Sequence, residues 1–303
     1  MASRQPSSQL PTALHVRSAA KINLALLVGP PRDDGYHDVI TVLQSIGLWD
    51  DLEVERTEEG LGLEVEGEGL PPAETNLVLV AARELARRSR DLPGARFRLR
   101  KGIPVAAGLG GGSADGAGAL RALDRLWGLH LPAVNLTTMA AEVGTDVPFC
   151  LTGGTCIATG RGDRMHEVAF KGQAWWVVGI DERPQTTPPV YRRFDELRLA
   201  RPLEGRWPTE LLAALADGDL PRLGTRLVND LEPAAFDLLP GLREAKQRLL
   251  EAGALGAVMS GSGPTLLGLC RDEEHARRVA RAVTTAFHRV DVARGPVPGV
   301  TFG

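Results

Sequence analysis

The stretch Pro104-Val105-Ala106-Ala107-Gly108-Leu109-Gly110-Gly111-Gly112-Ser113-Ala114-Asp115 constrains this chain more than any other. Its glycines allow positive φ and close backbone approach, so that successive N–H groups can turn into one concavity suited to an anion. From Ser113 the spacing predicts a helix to Trp127, with Leu120, Leu123, Leu126 and Trp127 on one face and Gly128 as its stop. Unpaired N–H groups and the macrodipole at that helix start favour a phosphate. The small residues Ala114, Gly116, Ala117 and Gly118 would let a polyphosphate lie close. Ser113 is placed either to cap the helix or to offer its hydroxyl to a phosphate or metal. The other reading of the glycines is a tight turn or close helix packing. Two better-known loops are excluded. A Walker A sequence ends in Gly-Lys-Ser/Thr, and none of Lys21, Lys101, Lys171 or Lys246 follows a glycine. A G-x-G-x-x-G run from Gly108 would need glycine where Ser113 stands.

Length and composition narrow the class. The 303 residues suit two domains at about 150 residues each, and 43% hydrophobic with 24% charged residues is a globular balance. Lys plus Arg is 35 and Asp plus Glu is 38, a net charge of −3, which offers no basic field to a nucleic-acid backbone. No apolar run reaches the roughly 18 residues of a membrane helix. Three cysteines, Cys150, Cys156 and Cys270, make neither a disulfide framework nor a C-x-x-C pair. Met1 to Thr12 is polar and lacks an apolar signal core, so a disordered N-terminus over 1–12 and a cytoplasmic protein are expected.

Periodicity predicts a buried strand over Ile22–Val28 and a hairpin whose arms alternate on either side of Glu58-Glu59-Gly60. It also predicts a helix over Asn76–Ser89 and a short strand at Phe97 and Leu99. Later segments read as a strand over Ala174–Ile180 and helices over Thr209–Ala216, Leu220–Phe236 and Leu242–Glu251. A strand–turn–strand over Ala257–Cys270, a helix over Glu273–Phe287 and a strand near Val290–Ala293 complete the series. Mixed rather than alternating elements favour α+β. The expected units are 13–168 and 169–303, joined near Glu167–Gly172.

Three motifs, in order, resemble one superfamily. Ala20-Lys21-Ile22-Asn23-Leu24 resembles the N-terminal motif of the GHMP kinases, Pro104 to Ala114 their phosphate-binding motif, and Ser260-Gly261-Ser262-Gly263-Pro264-Thr265 their C-terminal glycine loop. Within it, Gly35-Tyr36-His37, Gly144-Thr145-Asp146-Val147-Pro148-Phe149 and Thr187-Pro188-Pro189-Val190-Tyr191 resemble the branch that acts on a cytidine-diphosphate-linked methylerythritol in non-mevalonate isoprenoid synthesis. The resemblance implies a two-domain α+β fold with ATP and substrate in the cleft between domains. It implies ATP-dependent transfer of phosphate to the methylerythritol 2-hydroxyl. The partners expected are those two small molecules, with no nucleic acid and no membrane, and the chain as a monomer or weak homodimer. A homoserine or mevalonate kinase is one alternative, whose substrate would have no use for the aromatic pair; a non-catalytic relative that kept the fold is another, and the presence of Lys21, Asp146 and Ser113 argues against it.

Site residues follow from the same resemblance. Asp146 falls in the position of the catalytic base. Lys21 falls beside it, acting on the hydroxyl or on the γ-phosphate. A Lys–Asp contact at about 4 Å is worth roughly 4 kcal/mol at an effective dielectric of 20, enough to keep Asp146 ionised. ATP would lie against Pro104 to Ala114, with Asn76 and Lys101 near the adenine; Asn76 also reads as a helix N-cap and Lys101 as an exposed charge. Tyr36 and Tyr191, the only tyrosines in the chain, would sandwich the cytosine and His37 would meet its edge. Asn23 and Thr187 would bond polar groups of the substrate. Tyr191 departs from the phenylalanine expected at least as often there. Asn229-Asp230-Leu231-Glu232 reads as a helix start or interdomain feature. Mg2+ is expected to arrive with ATP, with no protein metal ligand assigned.

Overall fold

The apolar run over Ile22–Val28 is the middle of a longer strand, β1 (Ala13–Pro31), which runs antiparallel to β2 (His37–Thr57). The computed structural model describes residues 10–66, 75–88 and 92–303, so the polar start up to residue 9 and the expected helix end at Ser89 lie outside the described residues. Residues 18–29 are buried without alternation. Ala20, Ile22 and Leu24 belong to one apolar core, whereas Leu26 and Val28 belong to a second. A strand covered on both faces has no polar side to show.

Around this pair lie β3 (Leu61–Glu66), β4 (Gly94–Arg100), β5 (Thr155–Gly160) and β6 (Arg164–Glu167). β7 (Ala174–Ile180) opens a second, antiparallel sheet. Two strands from the later half of the chain, β8 (Val228–Asn229) and β12 (Val300–Phe302), return to β1. β9 (Gly256–Met259), β10 (Leu266–Cys270) and β11 (Arg289–Gly295) complete the second sheet in the order β11-β7-β10-β9. The first sheet runs β12-β1-β2-β4-β3, with β5 joining another stretch of β2 and β6 joining β5.

The expected hairpin around Glu58-Glu59-Gly60 is corrected here. Both arms are strands, but β4 inserts between them, antiparallel to β2 and parallel to β3. Phe97 stands between Val54 and Leu63, so the insertion buries an aromatic ring between two apolar neighbours that a direct hairpin would pair with each other.

Helices α1 (Leu77–Arg87), α2 (Gly111–Leu126), α3 (Ala133–Val143) and α4 (Val147–Thr152) accompany the first sheet. α5 (Thr187–Glu196), α6 (Thr209–Asp217), α7 (Leu220–Gly224), α8 (Glu232–Leu238), α9 (Gly241–Glu251) and α10 (Glu273–Val283) follow. The helix expected over Leu220–Phe236 is broken into α7, β8 and α8. Val228 and Asn229 leave the helical path to pair with Ala25 and Leu26 of β1, and Asp230 accepts a hydrogen bond from the Val28 N–H at 2.8 Å. Tertiary pairing here outweighs helical periodicity.

Candidate active site

A cleft of about 800 Å³ gathers the three motif regions. α2 begins directly on the glycine loop, with Gly110 as its N-cap at φ +69° and no side-chain cap. Ser113 is therefore not a cap; it is the third residue of the helix, half-buried on the cleft wall. The Ala114 N–H is bonded to the Gly110 carbonyl at 2.9 Å, and the N–H groups of residues 111–113 precede the intrahelical ladder. Such a turn can cradle phosphate oxygens.

The small residues further along the helix serve packing, contrary to expectation. A Cβ on Gly118 would stand 2.4 Å from Ser18 Oγ, and one on Gly116 would stand 3.3 Å from Leu77 and Val143. Ala114 and Ala117 are fully buried. These residues let α2 sit close on β1 and α1 rather than admit a polyphosphate.

The C-terminal glycine loop, residues 260–265, closes on the first loop backbone to backbone. Ser260 Oγ donates to the Gly108 carbonyl at 2.9 Å, and a Cβ on Gly108, at φ +75°, would stand 2.3 Å from the Ser260 carbonyl oxygen. Asn229 Nδ2 holds this second loop by donating to the carbonyls of Met259 (2.8 Å) and Gly261 (2.7 Å). Glu232 accepts from the Met259 N–H at 2.9 Å. Asn229-Asp230-Leu231-Glu232 is thus a clamp that fastens the loop to β1.

Lys21 threads between the two loops. A Cβ on Gly110 would stand 2.7 Å from Lys21 Cγ, and one on Gly261 would stand 3.4 Å from Lys21 Nζ. The ammonium lies 3.5 Å from Asp146 Oδ2 and donates to Asn23 Oδ1 at 3.0 Å. Asn23 Nδ2 donates in turn to Thr41 Oγ1 at 2.8 Å, and Thr41 donates to the Ala25 carbonyl at 2.7 Å. Each end of the Asn23 amide makes one of these bonds, which orients Lys21 and leaves a second Nδ2 proton and Oδ1 lone pair at the cleft wall. Register shifts at Ala19/Ala20 and Asn23/Ala25 bracket the two residues, and such bulges re-aim side chains out of the regular pleat. Asp146 stands just before α4 and makes no cap bond. The Lys21 side chain is 8% exposed and that of Asp146 34%, so the carboxylate keeps acceptor capacity toward the cleft.

At the nucleoside end, Tyr36 sits at the β1–β2 turn and is 54% exposed, whereas His37 is buried. His37 Nε2 lies 2.9 Å from Asp195 Oδ1, which leaves Nδ1 as the ring's other polar atom. The Tyr191 ring packs 5.0 Å from His37 at 49°. Burial, helped by the charge of Asp146, pushes the Tyr191 phenol up to about 12. Thr187 Oγ1 lies 3.0 Å from Ser262 Oγ, joining α5 to the second glycine loop.

Asp195 was not foreseen, although its signal was present. Pro188 and Pro189 sit in the first turn of α5, where proline is well tolerated. Thr187, Tyr191 and Asp195 then follow at i, i+4 and i+8 on one face. Reading that segment as a helix would have found all three.

Lys101 is not the exposed charge of the alternative reading. It is half-buried, its side chain 11% exposed, with Nζ donating to Asp50 and to Asp115 Oδ2 at 2.6 Å. Burial opposes its charge, but Asp115 and Asp50 outweigh that effect and raise its pKa. Burial, with Asp50 adding to it, pushes the Asp115 carboxyl well above the usual carboxylate range against the pull of Lys101. Asp50 Oδ1 also accepts the N–H groups of Gly102 (2.7 Å) and Ile103 (2.9 Å). Asn76 does cap α1, its Oδ1 accepting the Val78 N–H at 3.0 Å, and it also lines the cleft.

Residues 76–154 match the model of the GHMP kinases N terminal domain, and residues 211–289 match that of the GHMP kinases C terminal region. A 4-diphosphocytidyl-2-C-methyl-D-erythritol kinase of Saccharopolyspora erythraea is 44% identical over 299 residues, covering 96% of this chain and 94% of the relative. The crystal structure of a 4-(cytidine 5'-diphospho)-2C-methyl-D-erythritol kinase superposes with a TM-score of 0.79 at 34% identity, over 93% of this chain and 98% of that one. A homoserine kinase from Cytophaga hutchinsonii superposes with a TM-score of 0.78 over 99% of this chain and 100% of its own. At 19% identity it shows the shared fold alone. With such identity over nearly the full length of both chains, this protein belongs to the GHMP kinase family, in the branch of its 4-diphosphocytidyl-2-C-methyl-D-erythritol kinases.

Proposed function

We infer that this chain transfers the γ-phosphate of ATP to the 2-hydroxyl of 4-diphosphocytidyl-2-C-methyl-D-erythritol. The observation that carries this reading is the continuity of one cleft. Its wall includes the glycine loop, the Lys21–Asp146 pair, and Tyr36, His37 and Tyr191. A loose phosphoryl-transfer transition state asks for positioning and charge neutralisation rather than a strong base. Asp146 is assigned as acceptor of the hydroxyl proton. Lys21, oriented by Asn23, neutralises charge between that hydroxyl and the transferring phosphate. Residues 104–113 receive the phosphates, with Asn76 and the Lys101 ion-pair cluster walling the purine side. Tyr36, His37, Tyr191 and Thr187 receive the cytidine end.

Among the described residues no three His, Cys, Asp or Glu side chains gather as a metal cage, and Asp115 and Asp146 already face lysines. The donors fit a Mg2+ carried by phosphate oxygens, with the Ser113 hydroxyl on the cleft wall as a protein candidate. Bound so, the ion would neutralise charge on the transferring group. We also take 13–168 and 169–303 as the two units, braced across by β8 and β12. We take the chain as a monomer or weak homodimer. Three buried free cysteines suit a reducing, cytoplasmic setting. No described helix is long and apolar enough to cross a membrane.

Phosphorus NMR with Mg-ATP tests the reaction directly, using the cytidine substrate, homoserine and mevalonate in parallel. A new phosphomonoester on the cytidine compound alone is the expected result; transfer to a competitor instead would discard the cytosine pocket. Asp146→Asn should retain binding of both substrates by calorimetry and lose roughly 100- to 10,000-fold in turnover. Near-normal turnover would remove Asp146 from the role of base.

A further inference from the structure

Three lysine and arginine side chains line the cleft: Lys21, Lys101 and Arg161. Lys21 is set against Asp146, and Lys101 is held by Asp50 and Asp115. Arg161 differs from both. Its guanidinium has no carboxylate within ion-pair distance among the described residues; it lies over the ring of Tyr36, 4.0 Å from the centroid. Among the described residues of the cleft it is thus the one such cation without a carboxylate partner, and it stands over Tyr36.

The placement is built rather than incidental. β5 pairs antiparallel with β2, Gly160 opposite Val39, so the β5–β6 turn emerges beside the tip that carries Tyr36 and His37. Gly160 (φ +70°) and Gly162 (φ +92°) make that turn, and Asp163 Oδ1 accepts the Arg161 N–H at 3.0 Å. The backbone of Arg161 is tied down while its side chain reaches across to the tyrosine. Stacking on an aromatic face orients a guanidinium at little entropic cost and leaves its in-plane N–H groups free to donate. A planar fork of donors suits a phosphate, because two N–H groups can meet two oxygens at once.

We propose that Arg161 is the residue that receives the diphosphate of the nucleotide-linked substrate, with Tyr36 as the platform that holds it ready. This rests on the reading that the cleft takes a cytidine diphosphate. It adds a division of labour within that reading: the glycine loop serves the phosphates of ATP, and Arg161 serves those of the acceptor. One face of Tyr36 belongs to Arg161, and the opposite face is left for the base.

Calorimetry with cytidine and with cytidine 5'-diphosphate on the full chain separates the possibilities. Wild-type protein should bind the diphosphate more tightly than the nucleoside. Arg161→Ala should weaken the diphosphate roughly 10- to 100-fold, the size of a lost charge-assisted contact, while cytidine affinity stays unchanged. Arg161→Lys, which keeps the charge but not the fork, should restore only part of the loss. In steady-state assays Arg161→Ala should raise KM for the cytidine substrate by the same factor and leave KM for ATP and kcat in place. An equal loss for cytidine and its diphosphate would overturn the proposal and make Arg161 a prop for Tyr36. Unchanged affinity for both would overturn it outright. A wild-type protein that binds neither compound would instead refute the underlying reading of the cleft.

Discussion

Lys101 shows how a single charge can be fixed by its neighbours. Two carboxylates, Asp50 and Asp115, surround one ammonium, and all three side chains are nearly removed from water. Removing the cation leaves the buried Asp50 carboxylate, beside the Asp115 carboxyl, without its counter-charge, so Lys101→Met should cost about 3–5 kcal/mol. Asp115→Asn leaves a neutral Lys101–Asp50 pair and should cost much less. Urea unfolding of the two variants decides the matter: a Lys101→Met protein as stable as wild type would mean that the cluster contributes nothing to the fold. The raised Asp115 carboxyl sets the direction with pH. The folded state binds that proton more tightly than the unfolded one, so its contribution is present at acid pH and fades as pH rises through the folded-state pKa. Asp115→Asn should therefore gain on wild type as pH rises. Sequence pointed to Lys101 but not to its partners, because Asp50 lies in another strand and Asp115 reads as one more helix residue.

The elements around the second glycine loop hold a shape that is not their own. The Asn229 side chain donates to both Met259 and Gly261, and its Oδ1 accepts the Leu231 N–H at 2.9 Å. Asn229→Ala should leave buried carbonyls without a donor and cost about 1–3 kcal/mol. Asn229→Asp keeps the acceptor and loses the donor, so it should fail to restore stability. Full rescue by aspartate would mean that the bonds to the loop are dispensable. Helix and strand identity were largely legible from periodicity here, as at α2, α9 and β7. Pairing was not. β8 is two residues long and declares itself only against β1, and β4 takes its place between β2 and β3 because of what Phe97 buries.

Across the whole molecule the two sheets are tied by more than a linker. Trp176 on β7 donates its indole N–H to Gln44 Oε1 on β2 at 3.0 Å, in the interior. Leu26, Val28 and Val39 of the first sheet belong to the same core as Val177, Leu266 and Val283. β12 closes the edge of β1, with Val16 opposite Phe302. The chain should therefore unfold in urea as one cooperative unit, far-UV circular dichroism and tryptophan fluorescence falling together. Two separated transitions would show that this bracing is too weak to couple the halves.

The residues of the chemistry were legible in the chain itself, because a phosphate loop needs glycines in sequence and a helix directly after them. Lys21, Asp146, Tyr36, His37 and Tyr191 stand in short local motifs, and all line one cleft. What only the tertiary structure decided is which of these groups are already spoken for. Asn23 bonds Lys21 and Thr41, His37 meets Asp195, and Lys101 meets two carboxylates, while Arg161 stacks on Tyr36 without a carboxylate partner among the described residues. Those assignments depend on contacts between residues up to 158 positions apart. Local periodicity carries no information about such contacts; burial and pairing create them only once the chain has closed on itself.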